Sequence, residues 1–198
     1  MKKPQIFGRT LLGLGVLSLS LGSISCKQDA KPVDPKEVAE EENEAKFEEA
    51  QNAEDIAETL VDVAEFDLTQ RELGKLAQVS GVSADVKTLG KMMETHHDES
   101  FKDLSVLAKS KTISIPTAIT EDGQKEYDDL KRVESKDFDK KYLDDVVKDH
   151  KKAIDDFTKE AQRTTDVELK AFLERKVTSL QGHHESAEAL ATKLNVKK

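Results

Sequence analysis

A chain of 198 residues with a formal net charge of -9, no tryptophan, 5% aromatic and 36% charged residues has room for one domain and a tether, with a core of Leu, Val, Ala and a few Phe. The acidic balance, with no basic patch interleaved with aromatics, excludes nucleic acid as a partner, because phosphate binding needs clustered Lys and Arg. The same charge is repelled by anionic headgroups, so residence at a membrane has to come from a covalent anchor.

The N-terminus supplies one. Lys2, Lys3 and Arg9 form a positive region, Thr10 to Leu21 an apolar run, and Gly22-Ser23-Ile24-Ser25 a small-residue stretch ending at Cys26, the single cysteine. The run is shorter than the about 20 residues a spanning helix takes. The arrangement resembles the bacterial lipoprotein signal, in which a peptidase cuts before the cysteine and acyl chains are added to its sulfur and amine. Ser23 stands where that class usually has Leu, Val or Ile. The competing reading is an ordinary secretory signal with a chance cysteine, against which stands the lack of any disulfide partner. Two or three acyl chains hold a protein durably at about 0.8 kcal/mol per buried methylene. Residues 1–25 are thus expected to be a signal peptide, and the remaining chain, with net charge -12, to be lipid-anchored in the cell envelope. Lys27 gives no clear inner-membrane retention signal, which favours the outer membrane, with the protein facing the periplasm or the surface.

Residues 26–51 read as an acidic, solvated tether without a core of its own. Its second half carries a helix start, Asp34-Pro35-Lys36-Glu37. From about Asn52 the pattern changes: Ala53, Ile56, Ala57, Leu60, Val61, Ala64, Leu68, Leu73, Leu76 and Val79 recur at three and four residues, a first long helix ended by Ser80-Gly81. Ser83 caps a second, with Val86, Leu89, Met93, Phe101, Leu104 and Leu107 on one face. Ile113-Ser114-Ile115-Pro116 reads as extended, followed by a short helix near Glu121 to Val133. Ser135 opens a third long helix through Phe138, Tyr142, Val146, Ile154 and Phe157, and the capping box Thr165-Asp166-Val167-Glu168 starts a fourth carrying Leu169, Leu173, Val177, Leu180, Ala187 and Leu194. The expected architecture is all-α: a ferritin-like four-helix bundle over 52–195, two antiparallel hairpins joined by a long crossover with a short extra helix.

All five histidines fall in the last three long helices, and His97, His150 and the pair His183-His184 lie near their midpoints. Antiparallel helices of equal length share a height only at the middle, so three histidines can meet in one layer. His97 shares a stripe with Met93 and Phe101, and His150 with Val146 and Phe157, so both should face inward.

Several linked pieces then come together: Leu73-Gly74-Lys75-Leu76-Ala77, Met93 four before His97, Pro116 in the crossover, Phe138-Asp139-Lys140-Lys141-Tyr142-Leu143 leading to His150, and Leu180 three before His183. In this order and spacing, residues 53 to 191 resemble the bacterial family known as domain of unknown function 4142. The resemblance implies a ferritin-like helical bundle in the periplasm or envelope and no established reaction. Many relatives carry a glutamate at the position of Gln70 and an aspartate at that of His96, so this chain has lost two carboxylates near the expected layer.

A di-iron carboxylate centre needs Glu-x-x-His on two helices, and only Glu94-Thr95-His96-His97 fits. A mononuclear site needs less: His97, His150 and His183 with one carboxylate from Glu94, Glu72 or Glu65 would hold zinc, copper, nickel or iron. The alternative is a buried polar layer that fixes helix register without a ligand. His96, His184 and Gln70 are expected to be solvated or to stand behind the ligands. The sequence therefore favours a lipid-anchored binding or structural module over an enzyme, its partner being the membrane through lipid, with a metal-binding protein or metalloenzyme as the competing class.

Overall fold

Apolar residues recurring at three and four positions give four long helices, α2 Gln51–Ser80, α3 Ala84–Ser110, α5 Ser135–Arg163 and α6 Val167–Lys193, to which the short and more polar α1 Pro35–Phe47 and α4 Glu121–Lys131 are added. They are seen in a computed structural model that describes residues 33–195. The expected signal peptide 1–25, Cys26 and the tether up to residue 32 lie outside the described residues. Among those residues there is no strand, and no helix is long and apolar enough to cross a membrane.

The starts follow from local chemistry. Asp34 accepts from the Lys36 amide, with Pro35 at the first helical position, and Ser83 accepts from the Asp85 amide. The last long helix is capped by Asp166, which accepts from the Leu169 amide at 2.8 Å, one residue later than the expected capping box. Thr164 accepts from the Asp166 amide, and Glu168 pairs with Lys111 rather than reaching back to close a capping box. Ser135 lies just inside α5 rather than capping it.

Three-residue links join α2 to α3 and α5 to α6, so each pair is an antiparallel hairpin. α3 also packs on α6 and α2 on α5, closing a ring in the order α2, α3, α6, α5. The link from α3 to α5 travels along α2: Ile113 joins the apolar cluster of Ile56 and Leu60, Thr120 donates to Glu65 at 2.7 Å, and Leu130 joins the cluster of Leu73 and Leu76. It ends where Asp139 of α5 accepts from the Val82 and Ser83 amides of the α2–α3 turn. Gly74 and Gly90 let α2 and α3 approach closely, since a Cβ on either would lie 2.7 Å from the other's carbonyl oxygen.

Val79, on the expected stripe by spacing, is 82% exposed. It follows buried Ala77 by two residues, about 200° round the helix. Pro35–Phe47, the helical half of the expected tether, packs on α2 with Ala39 and Asn43 buried. The Asn43 amide donates to the Ser114 carbonyl and accepts from the Ser114 N–H, both at 2.7 Å, and Lys36 pairs with Glu65 and Asp62. Polar residues do this docking, which is why an apolar pattern missed it.

The core is divided. One apolar cluster holds Leu60, Ala64, Leu104, Phe157, Leu173 and Leu180, and the other holds Leu73, Met93, Phe138, Tyr142, Val146 and Ala187. Every long helix crosses from one cluster to the other, and at that crossing each carries polar residues: Asp67 and Gln70 on α2, His97 on α3, His150 on α5 and His183 on α6, all buried.

Candidate metal centre

Helix register brings His97, His150 and His183 to the crossing, where one ring nitrogen of each lies within 4.8 Å of the others. The ring centroids are 5.1 to 5.4 Å apart. None of the three is more than 3% exposed, so the charged imidazolium is disfavoured. Burial, reinforced by the cost of a second positive charge beside the other imidazoles and the Lys176 ammonium, holds His97 and His150 well below the ordinary histidine range and brings His183 down to about 4. All three are therefore neutral at physiological pH.

Their outer nitrogens are each held. His150 Nδ1 lies 2.9 Å from the Val146 carbonyl, which only accepts, so Nδ1 carries the proton and Nε2 is bare. His97 Nδ1 lies 2.7 Å from Asp67 Oδ1. Asp67 also takes Ser100 Oγ at 2.7 Å and the Lys176 ammonium; burial pushes its carboxyl up, against the pull of Lys176 and Ser100, and the ionised form fits this set of donors because it has only acceptors to offer. His97 then donates from Nδ1 and is bare at Nε2. The two bare Nε2 atoms face one another at 3.3 Å with no hydrogen between them. His183 Nε2 lies 2.9 Å from His96 Nδ1, while His183 Nδ1 is buried with no partner. His97 and His150 thus share one arrangement, outer nitrogen donating and Nε2 bare, and His183 joins it in the tautomer in which its Nε2–H donates to His96 Nδ1, which leaves Nδ1 bare.

Phe66 packs edge-on against His97 and His150, with centroids 5.5 and 5.3 Å away. Lys176, fully buried, has its ammonium 2.8 Å from Ser100 Oγ, and burial pushes it below the ordinary lysine range, against the pull of Asp67.

The carboxylates suggested by sequence are elsewhere. Glu94 accepts from Gln78 and Lys91, Glu72 from Arg71 and Lys75, and Glu65 from Thr120 and Lys36. Each lies off the inward face of its helix. The acid at the layer is Asp67, with Lys176 opposite, and the sequence held a signal for both. Asp67 follows Ala64 by three, and Lys176 falls between Leu173 and Leu180, so two opposite charges interrupt apolar stripes. His96 is exposed yet touches His183, and His184 lies 3.9 Å from Glu188 at the surface. Gln70 is buried with Oε1 unpartnered. Cys26 lies outside the described residues.

No curated protein and no solved structure matches the chain. Residues 41–190 match the family model described as a domain of unknown function, DUF4142, a stretch that takes in α2 to α5, most of α6 and all three layer histidines. The chain belongs to the DUF4142 family.

Proposed function

We propose that this protein is a lipid-anchored module of the cell envelope whose ferritin-like four-helix bundle holds one transition-metal ion on His97, His150 and His183. The observation that carries the metal reading is the pair of bare Nε2 atoms 3.3 Å apart. Two lone pairs at that distance repel unless a cation stands between them. A metal about 2.05 Å from two tetrahedral ligands holds them roughly 3.3 Å apart, so the pair fits such an ion. The partnerless His183 Nδ1 offers a third donor when His183 Nε2–H donates to His96 Nδ1. The contacts behind the rings, from Asp67, the Val146 carbonyl and His96, are of the kind that orient metal-ligating histidines. Three neutral imidazoles select zinc, copper, nickel or iron over hard cations. Such an ion would supply Lewis acidity or, for copper and iron, electron transfer. With Glu94, Glu72 and Glu65 engaged at the surface, a dinuclear carboxylate centre lacks its ligands, and no reaction is assigned.

A second reading, a structural polar layer, is favoured by the donors already gathered on Asp67. The two separate on the metal content of protein prepared without a histidine tag. About one ion per chain, lost when His97 and His150 are both replaced by alanine, supports the centre; metal-free protein that takes up none on dialysis leaves the scaffold. The anchor rests on the N-terminal sequence ending at Cys26. Wild-type protein should partition into detergent with an acyl mass increase, and Cys26→Ala should not; unlipidated wild type in the soluble fraction would refute it.

A further inference from the structure

A cleft of about 460 Å³ opens on the α2–α5 side of the layer, walled by α1 and α4. Its floor contains Phe66, Gln70 and Phe157. Phe66 is the informative one: it is partly exposed toward the cleft, and its inner side packs edge-on against His97 and His150. Phe66 thus touches both the open cleft and the two imidazoles, with the Lys176 ammonium 5.7 Å from its ring centroid. Gln70, one turn along α2 and 2% exposed, lines the same floor with a buried Oε1 that has no hydrogen-bond partner.

The walls carry charge of one prevailing sign. Six carboxylates line the cleft against three lysines. Lys36 is taken by Asp62 and Glu65, Lys152 by Asp156, and Lys148 lies 3.5 Å from Asp149. Asp122 and Glu126 remain, contributed by α4, with no lysine ion-paired to them among the described residues; burial and the neighbouring Asp149 push Glu126 up to about 7, so its charge is complete only above neutral pH. A concave surface with excess negative charge and low-dielectric walls concentrates cations at its base. On the α3–α6 side, exposed His96 lies against His183 Nε2, and partly exposed Ser100 bonds Asp67 and Lys176.

We propose that this cleft is the entry for divalent transition-metal ions to the histidine layer, with Asp122 and Glu126 drawing the ion in, Gln70 Oε1 as a way-station oxygen and Phe66 as the gate. The proposal rests on the metal reading above. Ring rotation of Phe66 opens the path without moving a helix, so entry and exit share one barrier.

The test is stopped-flow uptake and release of Co²⁺ by the full-length protein, read by its absorption, alongside equilibrium titration. Phe66→Leu, which keeps most of the packing, and Phe66→Ala should each raise association and dissociation rates together, by about tenfold for the smaller side chain, leaving Kd nearly unchanged. Asp122→Asn with Glu126→Gln should slow association by roughly tenfold at low salt, and the difference should vanish at high salt. Binding at equilibrium with rates untouched by these changes, or slowed instead by His96→Ala, would overturn the entry route and leave the centre standing. No Co²⁺ bound at equilibrium would overturn both.

Discussion

Replacing Lys176 by Met tests the buried network behind the histidines. Met keeps the stem and removes the ammonium, leaving Asp67, which has no exposed surface, with only Ser100 and His97 as donors. Removing one member of a buried ion pair costs about 3–5 kcal/mol, most of it the penalty of an uncompensated carboxylate. For a protein of this size that is a fall in Tm of roughly 6–20 °C. Replacing both partners, Asp67→Leu with Lys176→Met, removes both desolvation penalties and should restore at least half of the loss, because apolar replacements of buried pairs are often neutral. Urea unfolding of the wild type, both single variants and the double variant closes the cycle. If Lys176→Met costs less than about 1 kcal/mol, or the double variant is worse than the sum of the singles, Asp67 is not held as a buried carboxylate and the tautomer assigned to His97 fails with it.

Acidification should destabilise the fold. His183 titrates near 4 when folded and near its ordinary 6.5 when unfolded, so between these values only the unfolded chain takes the proton, and stability falls with pH by about 3 kcal/mol over that window. His97 and His150 shift the same way, whereas Glu126, pushed up to about 7 by burial, contributes with the opposite sign over this range; urea midpoints of Glu126→Gln protein that stay flat from pH 7 to 4.5 would contradict the buried neutral layer. Gly74→Ala or Gly90→Ala should each cost about 1–3 kcal/mol by pushing α2 and α3 apart, measured by thermal unfolding; an unchanged Tm would show that the helices do not meet there. Asn43→Ala leaves the Ser114 backbone unpaired at a cost of about 1–3 kcal/mol and should expose Pro35–Phe47 to limited proteolysis, whereas in the wild type α1 should resist as α5 does.

Long helices were legible because their buried faces are apolar at regular spacing, from Ile56 to Ala77 and from Phe138 to Phe157. Caps were legible where one side chain competes for the role, as at Asp34 and Ser83, and misplaced by a residue where Thr164, Thr165 and Asp166 compete. The meeting of three histidines followed from their height on antiparallel helices. What stands behind them did not, because Asp67 and Lys176, though each interrupts an apolar stripe, become a pair only across 109 residues. Glu94 and Glu72 were reasonable ligands by spacing, yet each lies a fraction of a turn off the inward face. α1 escaped because Asn43 and Lys36 carry its docking, and neither leaves an apolar signature.

The central claim, that the layer is built around a metal ion, is tested most directly by the unfolding midpoint of tag-free protein with and without Zn²⁺ or Cu²⁺, in the wild type and in His150→Ala. A bound ion stabilises the wild type by about 2.7 kcal/mol at a hundredfold excess over Kd. The variant, though less stable because of its cavity, should show none of that increment. A wild-type midpoint that ignores zinc, copper, nickel and iron between pH 6 and 8 would contradict the claim and leave His97, His150 and His183 as a structural layer.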